Sequence, residues 1–288
     1  MKDLSVIVLF SLSCIVSSFS IAQADFSLAL KMYDDGPYED VISYMESFEI
    51  RKVEEMMLEA DAHYKLREYE DATDGYTQVL ARDSYNTQAL MRRGAVYMQT
   101  GEFGWALQDI KAALKITPMD SEANFYMGNL YCNQGDMRNA EKYYKAALEF
   151  RPDYAQAIYM LGAAKDMKGD KREAYNAFSS IMEEMPMAIY NLAVASLEAN
   201  AYEVAFELFK RLEAHDHFAA MENAMDGDFF FMRAEAKYYC TDKQGACLDY
   251  KKAEDLGDQE AAGIYNEYCL KSKKKSDRKN GEMMKIEL

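Results

Sequence analysis

Three histidines and five cysteines are the residues best equipped for chemistry in this 288-residue chain, and their spacing limits what they can do. His63, His215 and His217 are too few and too scattered to assemble a nucleophile, its base and an orienting group. His215-Asp216-His217 has the composition of a metal clip. On a helix, however, residues two apart point to different sides, so that pair converges only in an extended loop. The segment reads as a polar insertion; no metal, cofactor or catalytic residue is expected, and the chain is read as a non-enzyme. The glycines recur singly instead of clustering ahead of a strand, which leaves no phosphate-cradling loop. Without Cys14, the cysteines number four, Cys132, Cys240, Cys247 and Cys269, an even count that permits disulfides in an oxidising compartment.

The N-terminus decides whether they meet one. Lys2 precedes an apolar stretch from Leu4 to Ile21, and Ala22-Gln23-Ala24 allows cleavage before Asp25. Residues 1–24 therefore read as a secretory signal peptide, with a retained membrane anchor or a lipid-modified Cys14 as alternative fates. The net charge of −16 leaves no basic stripe to neutralise phosphates, so nucleic acid is excluded as a partner. Basic residues concentrate instead at 271–288, with seven Lys or Arg against three acids, and this end reads as a solvated, disordered tail on an acidic body.

What must position any site is a repeat. Gly94, Gly128 and Gly162 fall on one register of thirty-four residues, Gly101, Gly135 and Gly169 on a second, Ala106, Ala140 and Ala174 on a third, and Pro118, Pro152 and Pro186 on a fourth. Four recurring small or breaker residues at one period imply a stacked array of like units. The period and the middle copy, NFYMGNLYCNQGDMRNAEKYYKAALEFRP, resemble the tetratricopeptide repeat family through Met127-Gly128, Tyr131, Ala140, Tyr144, Ala147 and Pro152. Small residues at Gly128 and Ala140 suit a close helix crossing. Gly135-Asp136 suits a left-handed helix stop followed by a cap, and Pro152 suits the end of the second helix.

The resemblance implies an all-α solenoid of six to seven helix-turn-helix units wound into a right-handed superhelix. On this reading residues 25–270 form the solenoid, with units near 25–52, 53–86, 87–120, 121–154, 155–185, 186–218 and 227–258 and a capping helix at 259–270. The step shortens to about thirty-one after Pro186 and lengthens to forty-one between Ala205 and Ala246, where an extended helix end or a projecting loop is expected. Cys247 on the last second helix and Cys269 on the cap can then meet, with Cys240 to Cys247 as the competing pair.

In the resembled family the first helix of each pair faces a concave groove. The corresponding stripe holds Met57 and Tyr64, Met91 and Met98, Phe125 and Asn129, Tyr159 and Asp166, Tyr190, then Phe231 and Tyr238, and contains neither Lys nor Arg. The Lys, Asn and Arg clamp by which family members grip acidic chaperone tails has a counterpart only in Asn129, so chaperone-tail binding is not expected. A Met-rich and aromatic lining with scattered acids suits an apolar or partly basic peptide or helix. A Met or Tyr stripe also packs between neighbouring helices, and that reading stays beside the functional one. The chain is thus expected to be an exported, periplasmic or cell-envelope scaffold of bacterial type, with a structural subunit whose groove is permanently occupied as the alternative. Contact with membrane is expected only if residues 1–24 are retained.

Overall fold

The computed structural model describes residues 26–47, 51–215, 218, 222 and 225–270. The proposed signal segment 1–24, the basic tail 271–288 and the pair Asp216-His217 lie outside them. The described residues form helices joined by turns, with no strand among them. Two compact units divide the chain, residues 1–152 and 153–288.

In the first unit, α1 (26–35) and α2 (Tyr38–Glu46) are followed by three longer pairs. These are α3 (Val53–Lys65) with α4 (Tyr69–Arg82), α5 (Thr87–Gln99) with α6 (Phe103–Ile116), and α7 (Ser121–Asn133) with α8 (Met137–Phe150). The second unit holds α9 (Ala155–Met167) with α10 (Lys171–Ile181), α11 (Pro186–Glu198) with α12 (Tyr202–Glu213), and α13 (Gly227–Tyr239) with α14 (Lys243–Asp255). It ends in α15 (Gln259–Ile264), which passes into a π-helical turn, Tyr265–Leu270.

A turn with one left-handed residue joins the helices of each pair from α3–α4 to α13–α14, and in α7–α8 and α13–α14 an aspartate side chain also caps the second helix. In α7–α8 the Asp136 N–H donates to the Tyr131 carbonyl at 2.9 Å, Gly135 adopts φ +77, and the Asp136 carboxylate accepts from the Asn139 N–H at 3.1 Å. A left-handed residue closes the first helix and an acid caps the free amides of the second. The conformation is stricter than the residue type: Arg67 (φ 64), Asn200 (φ 58) and Thr241 (φ 73) occupy the position that Gly101, Gly135 and Gly169 hold elsewhere.

Small residues set how closely a pair approaches. A Cβ on Gly128 would lie 2.5 Å from the Tyr144 ring, and one on Gly162 would lie 2.9 Å from the Phe178 ring. In α3–α4 the glycine has changed sides. Ala60 stands at the first-helix position, and the space for its methyl comes from Gly75, where a Cβ would lie 2.8 Å from that of Ala60.

The prolines divide in role. α8 stops at Phe150, just ahead of Pro152, whereas Pro186 is the first residue of α11 rather than a terminator of α10. α10 is 11 residues long against 14 for α8, so the chain reaches the next pair sooner. Proline then falls where its missing N–H costs nothing. The insertion after α12 also departs from a projecting loop at Phe218, which is 8% exposed within the core around Phe209, Phe229 and Phe230. Glu222 lies 3.1 Å from Arg233.

Candidate protein-binding surface

The first helices of the pairs carry the proposed stripe, and their side chains divide by burial. Met57 and Met91 are 8% and 2% exposed and belong to the core, so neither offers a contact surface. Tyr64, Met98, Phe125, Asn129, Tyr159, Asp166, Tyr190, Phe231 and Tyr238 are half-buried. Most of the rings lean on a second-helix ring of their own pair: Phe125 on Tyr144 at 6.0 Å, Tyr159 on Phe178 at 5.5 Å, Tyr190 on Phe209 at 6.3 Å and Phe231 on Tyr250 at 5.9 Å. Tyr64 likewise meets Tyr69, the first residue of α4, at 6.0 Å. Each such residue is a packing element with one accessible edge.

The acids and the amide of the stripe have a specific use. Asn129 accepts from the Tyr144 hydroxyl at 2.9 Å, Asp61 from that of Tyr76 at 2.6 Å, and Glu235 from that of Tyr250. Each pair is separated by 15 residues. The same register in the other pairs places Ala95 with Ile110, Ala163 with Phe178 and Val194 with Phe209, so a polar acceptor occurs where the opposite residue is tyrosine and an apolar one where it is not. Burial pushes the hydroxyls of Tyr76, Tyr144 and Tyr250 upward and keeps them protonated as donors. Asn129 is therefore engaged inside its own pair, which removes the one counterpart of a tail-gripping clamp. Tyr190 is pushed up to about 12, first by burial and then by Asp226 and Asp228.

Two cavities adjoin the stripe in the second unit. One, of about 150 Å³, lies between α9 and α11 and is lined by Ala163, Asp166, Val194, Glu198 and the exposed Met167. Lys171 spans it, 3.0 Å from Asp166 and 2.9 Å from Glu198. Tyr159 ties the same two helices by accepting from Asn191 at 3.2 Å. The other cavity, about 630 Å³, lies where α14 meets the π-helical turn and is lined by Tyr238, Leu248, Tyr265, Tyr268, Lys243 and Lys251. Beside it Cys247 and Cys269 are joined as a disulfide across 22 residues, with their Cα atoms 5.7 Å apart. Cys132 and Cys240 carry free thiols, and burial followed by Glu203 and Glu207 raises that of Cys240, the reverse of what activates a nucleophilic thiolate.

Two models of the tetratricopeptide repeat family match the chain, one over residues 57–121 and one over 121–154. The chain is a tetratricopeptide repeat protein. Solved structures extend the likeness beyond the matched residues. A tetratricopeptide repeat protein from Parabacteroides merdae is 18% identical with a TM-score of 0.58, covering 85% of this chain and 97% of its own. PilW, described as a widely conserved type IV pilus biogenesis factor, is 18% identical with a TM-score of 0.61, covering 74% and 97%. PilF of Pseudomonas aeruginosa is 15% identical with a TM-score of 0.65, covering 76% and 97%. At these identities the likeness concerns the fold.

Seen as a repeat protein, the chain holds further structural positions that the family landmarks do not mark. Gly75, the tyrosine acceptors and the Arg93–Asp109 and Arg233–Asp249 bridges all face across the two helices of a pair. Their signal in the sequence is a pair of positions 15 or 16 apart that change together, visible only once the repeats are aligned. Among the described residues no helix is long and apolar enough to cross a membrane.

Proposed function

We propose that this protein is a non-catalytic scaffold that binds a segment of another protein along the first-helix face of its repeats, in an oxidising, exported setting such as a bacterial cell envelope. One observation carries the reading. The stripe presents half-buried aromatic edges and acids without a single Lys or Arg, and its interior edges are fixed by second-helix rings. Rigid aromatic edges supply contact area at small entropic cost. Beside them Met167 is exposed and the acids Asp166 and Glu198 are already bridged by Lys171, which favours a segment that is mainly apolar. The Cys247–Cys269 disulfide fits an oxidising compartment and fastens the terminal helix. The leader-like residues 1–24 are consistent with that route.

The test is capture from an envelope extract by the mature protein and by two surface variants. Met167 and Leu248 are each 69% exposed, so Met167→Glu and Leu248→Glu change the surface without entering the core. Loss of a discrete protein with Met167→Glu, at unchanged helical circular dichroism, supports the first-helix face as the contact. Prey that is retained by Met167→Glu and lost with Leu248→Glu moves the contact to the cavity beside the disulfide. Turnover of a small molecule by the purified protein overturns the scaffold reading.

A further inference from the structure

The turn between α3 and α4 brings together three side chains that the binding surface does not use. His63 lies in the last turn of α3, Glu68 precedes α4, and Asp71 lies in its first turn. One ligand atom from each lies within 4.8 Å of the others, and the His63 Nδ1 to Glu68 Oε2 distance is 2.7 Å. The backbone fixes this proximity: the Glu68 N–H donates to the His63 carbonyl at 2.9 Å, and Arg67 holds the left-handed turn at φ 64.

The same three positions recur three periods later as Lys165, Asp170 and Glu173 on the α9–α10 turn. There the Lys165 ammonium lies 3.3 Å from Asp170 and 2.7 Å from Glu173. This turn geometry therefore aims two carboxylates at one point where a cation sits. At α3–α4 the residue supplying that cation is replaced by an imidazole, a ligand with a lone pair and no obligatory charge.

We propose that His63, Glu68 and Asp71 form a divalent transition-metal site of the zinc type. An imidazole with two carboxylates is a zinc-competent donor set, and a histidine ligand disfavours calcium or magnesium. Tetrahedral bonds of about 2.0–2.1 Å separate ligand atoms by roughly 3.3 Å, so the His63–Glu68 contact opens by about half an ångström and the third ligand closes inward. Three protein ligands leave a fourth position for water or for a donor from another molecule. A cavity of about 190 Å³, lined by His63, Asp71, Asp74 and Glu59, gives it room.

The test is calorimetric titration of Zn²⁺ into the full chain, with Co²⁺ and its visible absorption bands as an independent readout. The wild type is compared with His63→Ala, His63→Lys and His215→Ala. The proposal expects one site in the wild type, weakened by roughly 100-fold or more in His63→Ala because loss of a direct ligand exceeds the 10–100-fold typical of outer-shell changes. His63→Lys recreates the ammonium arrangement of α9–α10, so it should abolish binding and the cobalt bands while the thermal midpoint holds. His215→Ala should bind as the wild type does. Unchanged affinity in both His63 variants, or loss of binding with His215→Ala alone, overturns the assignment. So does a wild type that saturates only above millimolar zinc.

Discussion

Two helix pairs carry the same arginine–aspartate bridge, 16 residues apart, and differ in what surrounds it. In α5–α6, Arg93 donates to Asp109 at 2.8 and 2.9 Å, and its remaining nitrogen reaches the Thr77 hydroxyl on α4 at 2.9 Å. In α13–α14, Arg233 donates to Asp249 at 2.8 and 2.7 Å, but Glu213 at 3.2 Å and Glu222 at 3.1 Å complete its shell. Lys237 joins the same acids, and Arg233 also lies over the rings of Phe218, Phe229 and Phe230 at 5.8, 5.2 and 5.3 Å. The bridge belongs to the helix pair, whereas Phe218 and Glu222 reach it from the segment after α12. A regular joint has become the anchor of an insertion, and that is how a period of thirty-four accommodates a step of forty-one.

The comparison breaks most visibly at the arginines. Arg233→Ala leaves Asp249, 5% exposed, without its bidentate partner, and is expected to cost about 3–5 kcal/mol of stability. Arg93→Ala should cost less, about 1–3 kcal/mol, since only Asp109 and a threonine hydroxyl lose partners. Urea unfolding of both variants decides, and equal costs would mean that the added acids and rings contribute nothing. Phe218→Ala should follow at about 3 kcal/mol, because the ring fills space against Phe229. A cost below about 1 kcal/mol would detach the insertion from the core.

A third difference sharpens the same contrast. α13–α14 pairs Glu235 with the Tyr250 hydroxyl, where α5–α6 sets Ala95 against Ile110. Tyr250→Phe leaves the carboxylate without its donor and should cost about 1–2 kcal/mol, while Tyr250→Phe with Glu235→Ala copies the apolar pair and should regain most of it. Burial first, and the bond to Glu235 second, raise the folded hydroxyl above its unfolded value near 10. Its stabilising contribution is therefore full below about pH 10 and lost as pH rises further. Alkaline unfolding should be less steep in Tyr250→Phe than in the wild type.

The fold was legible because its determinants are short-range and periodic. Gly135 at a left-handed stop and Asp136 as a cap are each readable from the residue type alone. The stripe was readable only as a helical face, since the sequence spacing places Met57 and Asp166 alike on it. It does not say that neighbouring helices cover Met57 while Asp166 stays accessible. Asn129 looked like a clamp residue because its partner, Tyr144, is 15 residues away and across the pair. Pro186 shares its register with Pro118 and Pro152, and the shortening of α10 that puts it at the start of α11 leaves no mark at the proline itself.

The turns of the two pairs supply the smallest test and the only one expected to stabilise. α5–α6 turns through Gly101 at φ 82, whereas α13–α14 turns through Thr241 at φ 73, a left-handed conformation that a β-branched residue adopts at a cost. Thr241→Gly relieves that strain but loosens the unfolded chain, and the two effects leave a net gain of about 0.5–1 kcal/mol. Gly101→Thr runs the exchange in reverse and should lose a similar amount, since a Cβ at Gly101 meets nothing within 4 Å and the backbone conformation alone sets the cost. Thermal melts of the two variants should therefore shift in opposite directions. A shift of the same sign in both would mean that the side chain of Thr241 contributes a contact that outweighs the strain of its backbone.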